Sequence, residues 1–260
     1  MNKTFRLKTK AFLPNILAVV SCCVFLFFFT SIQKNTPKEN LQVEQKKVLI
    51  FSKTNGYRHE SITAGITAIK KLGIENDFLV DATEDSLDIN SQNLNKYQAV
   101  IFLSTTGKIL DEKQKLALQN FMQKGRGFVG IHSATNCETE WPWFINMIGA
   151  TFISHPKQQI GKLIVLDKTH QSTDNLPSIW ERNDEWYNFK NQNPNINILI
   201  KVDELSYTGA MNTNNGHPIS WYHQFDGGRV FYTALGHSIE GYNDPIFLKH
   251  LLGGIKYAIG

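Results

Sequence analysis

Residues 127–134 read GFVGIHSA, five uncharged residues that run straight into a histidine. A short continuous apolar run, without alternation of polar side chains, is the mark of a strand buried on both faces, as in a parallel sheet covered by helices. Two earlier runs have the same character, Val48-Leu49-Ile50-Phe51 and Ala99-Val100-Ile101-Phe102-Leu103. The segments between them carry helical spacing: Ile62, Ile66, Ile69 and Leu72 in one, Ala117, Leu118, Phe121 and Met122 in another. Asp111 followed by Gln114 is a capping-box signal for the start of the second helix, and Phe78-Leu79-Val80 supplies a further strand. Strands alternating with helices predict an α/β fold with a doubly wound, mostly parallel sheet and helices on both faces.

The second half is less regular. It offers strands near Leu163–Leu166 and Ile196–Val202, then a hairpin of Ile219–Phe225 and Arg229–Leu235 turned by Asp226-Gly227-Gly228. A last helix is expected over Pro245–Ile259. No internal repeat is present.

The ends of the chain differ in character. Lys3, Arg6, Lys8 and Lys10 precede a charge-free stretch, Ala11 to Gln33, so residues 1–33 read as a signal peptide or membrane anchor. The segment Phe27 to Ile32 is a poor cleavage site, which favours an uncleaved anchor on an exported protein of the periplasm or cell envelope. Residues 34–46 are a polar linker, and 47–260 form the folded domain. The formal net charge of +4 resides in those four leader residues. The domain has no basic patch with interleaved aromatics, which argues against a nucleic-acid partner. Its one cysteine, Cys137, leaves packing alone to hold the fold in an oxidising compartment.

In open α/β sheets ligands bind outside the carboxyl ends of the strands. Three apolar strands lead there to a glycine and a histidine: Gly56-Tyr57-Arg58-His59, Gly130-Ile131-His132 and Gly236-His237. Histidine serves both proton transfer near neutral pH and metal ligation. His59, His132 and His237 are therefore the candidate catalytic residues of a His-lined crevice, with Glu185 of Asp184-Glu185-Trp186-Tyr187 as base or ligand. Arg58, His155, His217 and Trp186 are candidates for substrate binding. His132, His155, His237 and Glu185 could hold a divalent metal such as zinc, although no tightly spaced motif such as H-E-x-x-H is present. His170 and His223 read as loop and strand-surface residues, His250 as a solvated or packed side chain of the last helix, and Cys137 as a buried thiol.

Taken together, GYRHES (56–61), DATED (81–85), FLSTTG (102–107), GFVGIHSAT (127–135), SHP (154–156), DEWYNF (184–189), HPISWYH (217–223) and GRVFYTALGHS (228–238) resemble the ThuA-like, or trehalose utilisation, family over nearly all of 47–260. The resemblance implies a flavodoxin-like fold akin to class I glutamine amidotransferases. In those enzymes a nucleophilic Cys occupies the strand-to-helix elbow, where this chain has His132, so glutamine amidotransfer is not expected. The family association implies an enzyme of carbohydrate metabolism that hydrolyses, isomerises or eliminates a disaccharide such as trehalose or its 3-keto derivative. A keto-sugar-forming oxidoreductase would then work in the same pathway. The competing reading is a carbohydrate-binding protein without catalysis, motivated by the missing nucleophile and by the aromatic residues of the second half.

Overall fold

The computed structural model describes residues 45–211 and 216–260. The expected leader and nearly all of the linker lie outside them; among the described residues no helix is long and apolar enough to cross a membrane.

The chain opens with β1 (Lys47–Phe51), α1 (Ile62–Glu75), β2 (Leu79–Thr83), a short α2 (Ser91–Leu94), β3 (Ala99–Leu103), α3 (Glu112–Gln123) and β4 (Gly127–Ile131). The capping box forms as expected: Asp111 Oδ1 accepts from the Gln114 amide and Gln114 Oε1 from the Asp111 amide, both at 2.8 Å. The second half contributes α4 (Pro142–Ile148), β5 (Thr151–Ser154), β6 (Gln159–Val165), β7 (Ile179–Asp184), β8 (Asn188–Lys190), β9 (Asn197–Val202), β10 (His217–Phe225), β11 (Gly228–Thr233) and α5 (Pro245–Ile259).

Nine strands form one sheet in the order β2-β1-β3-β4-β11-β10-β9-β6-β7. The first five run parallel, in the flavodoxin-like order, and the rest pair antiparallel as a wing. Every residue of β3 and β4 is buried, as strands covered on both faces must be. The glycines of β4 locate the cover. Gly127 and Gly130, three positions apart on a strand of period two, face opposite ways. A side chain at the first would strike Ala258 of α5, and one at the second Ile148 of α4. Helices therefore lie on both faces.

A separate two-stranded ribbon pairs β5 with β8. Its strands flank several residues discussed below: His155 follows β5, and Glu185, Trp186 and Tyr187 join β7 to β8. Register fixes where the strands end: Leu103, Ile131 and Thr233 lie side by side across β3, β4 and β11. Ser104, His132 and Ala234 follow at one level, on the carboxyl side of the sheet.

Candidate functional site

His132 directly follows β4 at a sharp turn into a 3₁₀ segment, His132–Asn136. Its φ is +55°, in the left-handed region that non-glycine residues rarely occupy. This is the backbone shape of a nucleophile elbow, with an imidazole where a nucleophile would stand. The strain is held from two sides. Tyr232 Oη donates to the His132 carbonyl at 2.8 Å, and His132 Nδ1 lies 2.7 Å from the Ala234 carbonyl. A carbonyl only accepts, so Nδ1 carries the proton and Nε2 presents its lone pair to the interior of the site.

Three other groups converge on that lone pair. His59 Nε2 lies at 3.0 Å, Tyr187 Oη at 2.9 Å and Glu185 Oε2 at 3.6 Å. His237 Nδ1 stands 3.1 Å from the same Glu185 oxygen. The ligand atoms of His59, His132, Glu185 and His237 all lie within 4.8 Å of one another. Donors around a tetrahedral zinc ion, bound at ~2.0–2.1 Å, are spaced by roughly 3.3 Å, so these side chains fit a small divalent cation. The Nδ1–H contact from His132 to a backbone carbonyl is the kind of orienting bond that metal-binding histidines make. Ser133 Oγ, 3.4 Å from His59 Nδ1, faces the other side of that ring.

The electrostatics favour neutral imidazoles at two of the three positions. Burial, then the neighbouring histidines His132 and His237, push His59 down to about 3. Burial likewise takes His132 down to about 4, with the charge of Asp184 opposing. At His237 burial acts against the charged form, but the Glu185 carboxylate outweighs it, helped by Asp184, and the pKa is raised. Neutral imidazole is the form that ligates a metal or accepts a proton.

The cluster is more enclosed than the crevice expected from sequence. His132, His59 and Glu185 are buried, and the group meets solvent at His237 and His155, whose side chains are 21% and 35% exposed. Cavities of about 600 and 540 Å³ open elsewhere, beside Gln171 and Lys249 and between α1 and the segment around Tyr242. Tyr57 stands at the mouth, two-thirds exposed, with its ring edge-on to His59 at 4.8 Å.

The candidate substrate-binding residues divide. His155 belongs to the rim: its Nδ1 is 3.4 Å from Glu185 Oε1 and its ring stacks on Tyr187. As a metal candidate it falls outside the tight group, and His59 takes its place. Arg58 is engaged elsewhere, in a two-pronged pair with Glu84 at 2.9 and 2.7 Å that braces the loop after β1 against the segment after β2. His217 is buried, with Nε2 2.6 Å from the Tyr187 carbonyl and Nδ1 beside Tyr207 and Glu204, so it anchors the backbone of the Tyr187 segment. Trp186 is wholly buried against Gly161 and offers no face to a sugar.

Two residues carry more than the sequence indicated. Tyr187 places its hydroxyl inside the cluster, and Asp184 accepts from the amides of Glu185, Gly236 and His237. Of the remaining histidines, His170 contacts Ser172, and His250 lies between the Ser172 carbonyl and Ser220 Oγ. His223 is buried in β10, not at the strand surface where the sequence placed it. Cys137 is a free, buried thiol, and burial pushes its pKa far up.

Fold and site together define an α/β protein of the amidotransferase-like architecture whose elbow presents a histidine within a His/Glu donor cluster. The model of the ThuA family, described as trehalose utilisation, matches residues 47–258, and the chain belongs to that family. A ThuA-like protein of Bacteroides uniformis superposes with a TM-score of 0.71 at 24% identity, over 86% of this chain and 95% of that one. A second, from Parabacteroides merdae, gives 0.69 at 21% identity over 83% and 90%. A cytoplasmic protein of Salmonella typhimurium gives 0.60 at 11% identity over 82% and 99%. At these identities the likeness is one of fold. No curated protein matches the chain.

Proposed function

We propose that the protein is a sugar-active enzyme in which His59, His132, His237 and Glu185 bind a divalent metal, zinc being the ion that three imidazoles and one carboxylate suit. The observation that carries this reading is the convergence of four ligand atoms within 4.8 Å of one another. The substrate class follows the family description, trehalose utilisation: a disaccharide such as trehalose or its 3-keto derivative, undergoing hydrolysis, isomerisation or elimination. A bound divalent ion would supply Lewis-acid polarisation of a sugar carbonyl or hydroxyl.

The chain's own groups supply proton handling and orientation. Tyr187 Oη, 2.9 Å from His132 Nε2, is a proton donor on the wall of the cluster. Before a metal binds, His237, half-buried and with a raised pKa, is the imidazole that holds a proton at the solvent side; ligation displaces that proton. His155 and Tyr57 form the rim that a sugar ring would meet first. Export to the cell envelope through residues 1–33, with a keto-sugar-forming oxidoreductase upstream, completes the reading.

The test is incubation of the full-length protein, loaded with zinc, with trehalose and with 3-ketotrehalose, followed by product analysis by mass spectrometry. Product from the wild type and none from His237→Ala supports the enzyme. The burial of His132 and His59 favours a second reading, a carbohydrate-binding protein with a structural cluster. Heat of binding without product after long incubation selects it.

A further inference from the structure

In the sheet order β7 lies four strand places from β11. At ~4.8 Å per step a flat sheet would hold them about 19 Å apart. Yet the last residue of β7, Asp184, touches the turn that leaves β11: its Oδ2 accepts from the Gly236 amide and its Oδ1 from the His237 amide, both at 3.2 Å. The antiparallel wing therefore curls back over the carboxyl end of the parallel half. One buried carboxylate joins the two.

The same side chain reaches both arms of the site. Asp184 Oδ1 also accepts from the Glu185 amide at 3.0 Å, so a single oxygen is bonded to the backbones of the two residues whose side chains meet at 3.1 Å. Oδ2 is fixed in turn by Arg182 Nε at 2.8 Å, and Arg182 Nη1 is fixed by Asp244 at 2.9 Å. The Arg182 guanidinium lies over the Trp180 and Phe247 rings, which keeps it from turning away. Gly236 permits the approach: at φ +114° the turn presents two consecutive amides to one carboxylate, and a side chain there would strike Tyr242. Four donors on two oxygens compensate the burial of the charge.

The geometry points to Asp184 as the positioning residue of the site, the latch through which the wing delivers Glu185 to His237. This role rests on the metal-site reading above. An amide at position 184 would turn a donor toward either the Gly236 and Arg182 pair or the Glu185 and His237 pair. The two halves of the donor set would then separate while each kept its own fold.

The experiment compares zinc affinity, by competition with a chromophoric chelator, in the full-length wild type, Asp184→Asn, Arg182→Lys and Asp244→Asn. Asp244 shares the Arg182 contact but touches none of the three site amides, so it controls for loss of the ion-pair network. Loss of such an orienting group weakens metal binding by about 10–100-fold. That is the expected result for Asp184→Asn, with a smaller loss for Arg182→Lys, which keeps the charge and folds if the asparagine variant does not. Asp244→Asn should lose thermal stability but keep wild-type affinity. Wild-type affinity in Asp184→Asn and Arg182→Lys overturns the latch. Equal loss of affinity in Asp244→Asn also overturns it, reducing Asp184 to general stability. Should the wild type bind no zinc, the metal reading fails, and hydrogen exchange then tests the latch alone. The amides of Glu185, Gly236 and His237 must exchange faster together in Asp184→Asn or, if that variant does not fold, in Arg182→Lys, and unchanged exchange overturns it.

Discussion

His132 and His59 face each other through their Nε2 atoms at 3.0 Å, in the interior of the protein, with the His132 proton committed on the far side to the Ala234 carbonyl. Two imidazole nitrogens this close share one proton between them or share a cation. Burial depresses the pKa of both rings, which disfavours an imidazolium.

Tyr187 competes for the same lone pair. Its hydroxyl donates to His132 Nε2 at 2.9 Å, so a cation on that nitrogen must displace the phenol, freeing it to face substrate. Tyr187→Phe is therefore expected to bind zinc at least as tightly as wild type while losing turnover. Calorimetric zinc titration checks this. A tenfold loss of affinity would make the phenol oxygen a ligand.

The elbow stores backbone strain at His132, whose φ is +55°. A left-handed conformation costs an ordinary residue roughly 1–2 kcal/mol and glycine little. Both His132→Ala and His132→Gly should lose the site, but the glycine variant should be the more stable by about 1 kcal/mol, less its greater unfolded-state entropy. Urea unfolding measures the difference. An alanine variant more stable by that amount would show that the turn relaxes when the imidazole leaves.

His250 gives a pH dependence remote from the cluster. Burial holds it down at about 4, with its ring between Ser172 and Ser220. Between pH 4 and the ordinary value near 6.5 the unfolded chain takes up a proton that the native state refuses. Stability is thus full above about 6.5 and falls with acidification, by about 1.4 kcal/mol per pH unit for one such group. His250→Gln should flatten the stability profile by that amount. Identical slopes in the two proteins would place the titration elsewhere.

The centre of the parallel half was legible because β1, β3 and β4 carry apolar runs without interruption; β3 and β4 occur at the expected residues. The three histidines were found through their shared place after such strands. In the wing, β6, β9 and β10 occur near the expected places, but β7 hid because its inward side is polar. On β7 the buried positions are Trp180, Arg182 and Asp184, a pattern that reads as a loop until the ion pair between Arg182 and Asp184 is known. Tyr187 and Asp184 were likewise beyond the sequence, since their partners His132, Gly236 and His237 lie about fifty residues away along the chain. Trp186 and His217 misled in the opposite sense, because an aromatic beside a carboxylate, or a histidine between a glycine and a proline, looks the same whether it faces a ligand or the core.

Cys137 is expected to be inert. It lies in the core after the elbow, and burial holds the thiol protonated, leaving no thiolate to attack. Native protein should resist a disulfide reagent that modifies it fully in denaturant, and glutamine should release no ammonia. Rapid native labelling would contradict the burial.

The central claim is that four side chains from distant parts of the chain form one metal centre, and metal content tests it most directly. Full-length wild type, His132→Ala and His237→Ala are purified in parallel, offered zinc, cobalt and manganese, dialysed, and measured by elemental mass spectrometry. One equivalent of metal in the wild type and far less in both variants is the expected result. A wild type that retains no metal under any of these conditions, or variants that retain as much as it does, would contradict the account and leave the histidines to acid–base chemistry or to structure.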